Sequence, residues 1–251
     1  MEHTVFITGG AAGIGAATVE YFADKGWNVG FMDIDEKGEN LARRLGSHVI
    51  FRKGDTRKKD DVEAAILATI EAFGPLGCVF ANAGINRKNS ILDISDDELR
   101  LIVDINIYGT ANTLRSAIAH IIDAGGGSVV INASDQSLVG KYGSFAYGLT
   151  KGALGQMTKS LAIDLADKGV RVNAVCPGTV RTPLVENIFN KLSLQTGKPV
   201  ARYWEEENSD FPLGRIAEPS EISAAVYFLA SEDASFITGC LLPVDGGLTA
   251  R

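Results

Sequence analysis

The chain has 251 residues, with 24 basic against 31 acidic side chains, a formal net charge of −7, 45% hydrophobic residues and 22% charged ones. That composition excludes a disordered or fibrous protein and supplies a sizeable core. The acidic excess argues against nucleic acid, which needs a basic patch, and against an anionic membrane surface, and no run reaches the roughly 18 apolar residues of a membrane span.

Short β-branched runs alternate with longer amphipathic stretches. Strands are expected at 4–8, 28–32, 48–52, 78–82, 128–132, 170–175 and 240–244. Between them come helices from the glycines after residue 8 to Gly26, then over 36–45, 59–73, 95–124 with a break near Asn106–Gly109, 147–167 and 219–230. In the penultimate helix Tyr147, Leu154, Met157, Leu161 and Leu165 recur at helical spacing. Gly26 stands where a helix C′ glycine belongs, Ser95 and Glu98 have capping-box spacing, and Pro219 sits just inside a helix start. Strands apolar on both faces and alternating with helices read as an α/β protein: a doubly wound parallel sheet of about seven strands, helices on both faces. With no linker or repeat, residues 1–251 read as one domain. Residues 184–212 break the rhythm without a strand and are expected to be a helical substrate lid, with tertiary packing as the alternative.

Cys78, Cys176 and Cys240 lie far apart in apolar runs, with no CxxC or Cys/His cluster. They read as small buried hydrophobes in a reducing cytosol, and no metal is expected. His3, His48 and His120 match no metal spacing. The opening MEHTVFITGG lacks a signal-peptide pattern. The expectation is an untargeted cytoplasmic protein whose fold begins almost at residue 1.

Two local patterns carry chemistry. Thr8-Gly9-Gly10-Ala11-Ala12-Gly13-Ile14-Gly15 lies between a strand and a helix, where glycines let a pyrophosphate approach the helix N-terminus. Asp33 ends the second strand 20 residues after Gly13, placed to hydrogen-bond a ribose hydroxyl and to repel a 2′-phosphate. With no Arg or Lys in VGFMDID, the expected cofactor is NAD rather than NADP. Tight strand–helix packing alone is the alternative for the glycines. Tyr147 and Lys151 share a helix face at i, i+4, and a nearby ammonium lowers a tyrosine pKa. Alone, that pair reads as a packed Tyr near a solvated Lys, because its spacing is very common by chance. Ser134 ends a strand 13 residues earlier, so the two meet at the carboxyl edge of the sheet.

Taken in order, TGGAAGIG, Asn82-Ala83-Gly84, Asn106, Ser134, YGLTK at 147–151 and PGTVRT at 177–182 resemble the short-chain dehydrogenase/reductase family. The likeness runs from Thr4 to about Gly247. It implies a Rossmann-type domain, usually a homotetramer or dimer, acting on a small alcohol or ketone. It also implies that Tyr147 is the acid/base, that Lys151 holds the nicotinamide ribose and lowers the Tyr147 pKa, and that Ser134 binds the substrate oxygen. Asn106 would hold a relay water. Gly9, Gly13, Ile14 and Gly15 would contact the pyrophosphate region, Asp33 the adenosine ribose, Asp55 and Thr56 the adenine. Asn82, Ala83 and Gly84 would line the cofactor, and Pro177, Gly178, Val180 and Thr182 would hold its nicotinamide end.

The chain departs from the family pattern at Ala81, where Asn is usual, around Gly77-Cys78, where an Asp is frequent, and at Asp135-Gln136, where small residues follow the serine. Asp135 and Gln136 either reach the substrate or close an internal turn. With Asn187 they suggest a polyol, sugar or cyclic diol. Tyr142 and Phe145 are candidate pocket walls. So are Tyr203, Trp204 and Phe211, unless they simply pack. Arg181 reads as a substrate-carboxylate contact or a surface cation, and Glu205–Glu207 as a solvated helix face. The expected activity is NAD-dependent interconversion of a secondary alcohol and a ketone. A non-catalytic dinucleotide sensor is the alternative, disfavoured by the complete Asn106, Ser134, Tyr147 and Lys151 set.

Overall fold

The computed structural model describes residues 3–250. Seven strands form one parallel sheet: β1 (Thr4–Thr8), β2 (Asn28–Asp33), β3 (Val49–Lys53), β4 (Cys78–Ala81), β5 (Gly127–Asn132), β6 (Val170–Pro177) and β7 (Leu241–Val244). Their spatial order is β3-β2-β1-β4-β5-β6-β7. Every expected strand is present. The sheet is parallel because each crossover carries a helix long enough to pack back on it.

The helices form two layers. α1 (Gly13–Asp24), α2 (Lys37–Leu45) and α9 (Pro219–Ala230) cover one face, burying Phe22, Leu41 and Val226 against Val5, Phe31 and Val175. α3 (Lys59–Phe73), α5 (Gly109–Asp123) and α6 (Phe145–Leu165) cover the other, burying Ile66, Ile121 and Leu154 against Phe6, Val129 and Val172. Local signals hold where they were read. Gly26 ends α1 with φ of 78°, and Ser95 Oγ accepts the Glu98 N–H at 3.2 Å to start α4 (Asp96–Val103). The break expected near Asn106 is a five-residue π-helical turn, Asp104–Tyr108, joining α4 to α5. Such turns are rare and cluster at functional sites.

Strand order reverses between β1 and β4, and a crevice opens over their carboxyl ends. Asn82 closes its floor. Its side-chain amide donates to the Thr8 and Gly9 carbonyls at 2.9 and 3.0 Å, and its Oδ1 accepts from Asn132 Nδ2 at 2.8 Å. One side chain thus ties the ends of β1, β4 and β5.

After β6 the chain leaves the sheet, builds α7 (Pro183–Thr196) and α8 (Val200–Ser209), and returns. Paired main-chain bonds clamp the neck, Arg181 N–H to Ala217 O at 2.9 Å and Ala217 N–H to Thr179 O at 3.0 Å. The insertion therefore hangs over the carboxyl edge. Among the described residues no helix is long and apolar enough to cross a membrane.

Asn82→Ala would strand several buried polar groups, each costing about 1 kcal/mol or more. The expected loss is about 3 kcal/mol, or about 9 °C in Tm, read by circular-dichroism melting.

Candidate active site

The glycine loop joins β1 to α1. Gly9 and Gly10 donate to the Met32 carbonyl at 2.8 and 3.2 Å, and Ala11 N–H donates to Asp33 Oδ2 at 3.0 Å. Asp33 thus holds the loop as well as facing the cleft. Helix α1 begins at Ala12 without a side-chain cap and with no acid in its first turn. Its orphan N–H groups are left for an anion. A Cβ on Gly15 would sit 1.9 Å from the Gly9 carbonyl oxygen, and Gly13 has φ of 55°. Only glycine keeps this cradle open, and the residues present fit a dinucleotide pyrophosphate.

Gly9, Gly13, Ile14 and Gly15 line one outer lobe of the cleft together with Asp33, Asp55 and Thr56. Asn82, Ala83, Gly84, Tyr147, Lys151 and Thr182 close it. The Asp55 carboxylate is gripped by Arg57, whose Nε lies 3.0 and 2.9 Å from its two oxygens. That hydrogen bonding holds Asp55 below the usual carboxylate range. Arg57 lines the same lobe as Asp33, a cation close in space that the VGFMDID stretch does not disclose. Thr182 caps α7 by accepting the Val185 N–H at 3.5 Å.

Ser134 follows β5, while Tyr147 and Lys151 lie in the first turns of α6. Lys151 is 3% exposed and donates to the Asn132 carbonyl at 2.5 Å, with its ammonium 5.4 Å from the centre of the Tyr147 ring. Burial lowers its pKa to about 8. Tyr147 departs from expectation. Burial, then the Asp135 charge, push its phenol above the usual value, against the pull of a hydrogen bond with Ser134. Lys151 does not offset this: burial costs both groups their charged forms.

Asn106 sits in the π-helical turn, 1% exposed. Its side chain accepts the Ile85 N–H at 2.8 Å and donates to the Ile85 carbonyl and to Thr150 Oγ1, both at 3.0 Å. It positions the loop after β4 against α6, so any relay water would have to use its main chain.

An inner lobe of about 170 Å³ adjoins the first through Ile14, Asn132, Tyr147 and Thr182. Ser134, Asp135, Gln136 and Tyr142 form one wall, and Pro177, Gly178 and Val180 the floor. Leu184, Val185, Ile188 and Phe189 of α7 and Glu207 of α8 face them. Tyr142 is 99% exposed and stands at the rim.

Several expected wall residues lie elsewhere. Trp204 packs edge-on against Phe189, 4.6 Å between ring centres, under the Arg181 guanidinium at 4.8 Å. Tyr203 stacks on the other side of Phe189, and Phe211 is buried against Gly178. The aromatics join α7 to α8 and brace the floor because each ring covers more apolar surface there. Asn187 points to solvent. Arg181 pairs with Glu218 at 3.1 Å.

Of the acidic run, Glu205 pairs with Arg202 and Glu206 with Lys198 on the surface, as expected of a solvated face. Glu207 does not: it turns into the lobe, pairs with Lys141 at 3.0 Å and bonds Thr179 Oγ1. Sequence held one hint, since no cation stands three or four residues from Glu207. Its partner is 66 residues away.

The arrangement places a proton-carrying phenol and a low-pKa amine where a dinucleotide cradle meets a small lobe. Over residues 9–249 the chain matches the family model described as enoyl-(acyl carrier protein) reductase. It is 39% identical to the L-fucose dehydrogenase of Mus musculus, covering 97% of this chain and 87% of that protein. A short chain dehydrogenase family protein from Francisella tularensis superposes with a TM-score of 0.89 at 38% identity, over the whole of both chains. Thermoplasma acidophilum aldohexose dehydrogenase superposes with a TM-score of 0.90 at 34% identity, over 100% of this chain and 95% of that one. The chain belongs to the short-chain dehydrogenase/reductase family. It is an oxidoreductase of that family, whose relatives include dehydrogenases of alcohols and a solved neighbour, at 30% identity, complexed with NADH.

Lys151 costs stability while it is charged and buried. The unfolded chain binds its proton up to a pKa of about 10.4, the folded one only up to about 8. Below the lower value the penalty is complete, and it fades as pH rises between the two. Lys151→Met should raise stability near neutral pH by about 2 kcal/mol, or about 5 °C in Tm, after loss of one hydrogen bond. That advantage should vanish in melts run above about pH 10.

Proposed function

We propose that the protein is an NAD-dependent oxidoreductase interconverting a secondary alcohol and a ketone, with Tyr147 as the acid/base. The observation that carries this is the meeting of Ser134, Tyr147 and Lys151 at the junction of the two lobes. Ser134 and Tyr147 hold the carbinol or carbonyl oxygen between their hydroxyls. Lys151 binds the nicotinamide ribose and, with a pKa of about 8, takes up or releases a proton near neutrality. Asn106 anchors the relay behind it. Pro177, Gly178, Val180 and Thr182 hold the nicotinamide end, and Gly9, Gly13, Ile14 and Gly15 the pyrophosphate. When bound, the dinucleotide supplies the hydride exchange with the carbinol carbon. A phenol held above its usual pKa suits proton donation in reduction. Oxidation requires the proton to leave and should quicken as pH rises past about 8.

Asp33 selects NAD by accepting from the adenosine ribose and repelling a 2′-phosphate. Arg57 does not reverse this, because Asp55 neutralises it. Asp55 and Thr56 border the adenine, and Asn82, Ala83 and Gly84 the middle of the cofactor. Residues 184–212 serve as the substrate lid of one domain spanning the chain. A lobe of about 170 Å³ is smaller than the roughly 300 Å³ of drug-sized sites. Together with Asp135 and Gln136, it favours a small polyol, sugar or cyclic diol. The likeness to an L-fucose dehydrogenase and an aldohexose dehydrogenase supports that class. The family likeness supports a homotetramer or dimer, the exposed Leu149 and Ile163 on α6 offer apolar surface for it, and the cysteine usage supports a cytoplasmic location.

The test is NADH formation by purified protein with NAD and a panel of sugars, polyols, cyclic diols, hydroxy acids and hydroxysteroids. Turnover should concentrate in one neutral hydroxylated group, with Tyr147→Phe lowering kcat/KM by at least about 10³-fold. NAD binding with silence across the panel would favour the sensor instead. Asp33→Ser should cut the preference for NAD over NADP by about tenfold, and a wild-type preference for NADP would refute the role given to Asp33.

A further inference from the structure

A buried carboxylate stands directly beside the reaction centre. Asp135 follows Ser134, is 4% exposed, and lines the inner lobe. Ser134 Oγ donates to Asp135 Oδ1 at 2.6 Å and itself accepts the Gln136 main-chain N–H at 3.2 Å. Lys141 and Asp245 act on it only through space. An ionised carboxylate accepts about four hydrogen bonds, and burying one with that capacity unfilled is costly. Two neighbours share its want of donors: Gln136 Oε1 and Asn132 Oδ1 are buried acceptors without a protein partner. Beside Ser134 the lobe therefore holds three acceptors with unfilled capacity, on Asn132, Asp135 and Gln136.

Charge narrows the ligand. Lys141, the cation nearest Asp135, is already paired with Glu207 at 3.0 Å. An acidic substrate would meet two carboxylates, with Lys141 already paired and Lys88 the other cation on the lining. Geometry narrows it further. The reacting oxygen belongs beside the Ser134 hydroxyl, and Asp135 Oδ1 lies 2.6 Å from Ser134 Oγ. Hydroxyls on adjacent carbons in gauche arrangement are separated by about the same O–H···O contact distance, roughly 2.8 Å. A second hydroxyl one carbon from the reacting one is therefore within hydrogen-bond reach of Asp135.

We propose that Asp135 determines specificity by accepting a hydrogen bond from a hydroxyl vicinal to the reacting carbinol, which makes the substrate a small neutral vicinal diol or polyol. This rests on the dehydrogenase reading of the same site. Asp135 replaces water around the second hydroxyl, and a substrate lacking that donor leaves the buried carboxylate unfilled, which is the strongest kind of discrimination a polar pocket offers.

Three probes separate donor from size: the vicinal cis-diol of cyclohexane, its mono-methyl ether, and cyclohexanol. Wild-type kcat/KM with NAD should favour the diol over the ether by about 30-fold, the scale of a hydrogen bond to a charged group. Asp135→Asn keeps the shape and loses the charge, and should shrink that ratio about tenfold, mainly through KM. Binding supplies a readout independent of turnover and of any change at Asp135. By calorimetry, NAD-saturated Tyr147→Phe should bind the diol at least about tenfold more tightly than the ether. Equal handling of diol and ether by the wild-type protein would overturn the proposal. So would an equal loss for both in Asp135→Asn, which would place Asp135 in the fold or the chemistry rather than in recognition. If no probe turns over yet the diol still binds more tightly, the dehydrogenase reading fails and the diol subsite stands.

Discussion

At the reversal between β1 and β4 the chain exposes buried main-chain groups at the ends of three strands, and the rest of the site depends on how they are satisfied. Asn82 does this with one amide, bonding Thr8, Gly9 and Asn132 together. The glycine loop then holds its path because Met32 and Asp33 accept its N–H groups from the next strand. Asn132 in turn offers its carbonyl to Lys151. The dinucleotide cradle and the proton-handling amine hang from one polar knot, in a place where an unpaired group would be expensive.

That knot is surrounded by groups whose charges the fold makes costly. Lys151 and Asp135 are each under 5% exposed, and burial moves both toward their neutral forms. Tyr147 is pushed the same way. Stability alone would favour apolar residues here. At Lys151 the strain is useful, because an amine with a pKa of about 8 exchanges a proton near neutral pH with little driving force against it. The site carries its chemistry and its destabilisation in the same side chains.

The insertion adds a different constraint. Its two helices are bonded to each other by the aromatic stack of Phe189, Tyr203 and Trp204, and to the body by Glu207 with Lys141 and Thr179. Tyr203 and Trp204 are spent on holding the insertion together, so it presents Leu184, Val185, Ile188, Phe189 and Glu207 to the lobe.

Much of this was legible in the residues. Element types followed from hydrophobic period, and the break at Asn106 from its mixed pattern. Gly9, Gly13 and Gly15 declared a backbone cradle because no other residue fits those angles and distances. Tyr147 and Lys151 share a face because an α-helix repeats every 3.6 residues. These are local properties, set by sterics and periodicity within one segment. Tertiary structure alone decided the others. Trp204 packs and Glu207 enters the lobe because of partners on distant segments. Arg57 reaches the lobe of Asp33 through a loop fold, and the Tyr147 phenol moves opposite to expectation because burial disfavours its charged form. Charge, burial and orientation at a site are sums over neighbours far apart along the chain, and those sums exist only once it has folded.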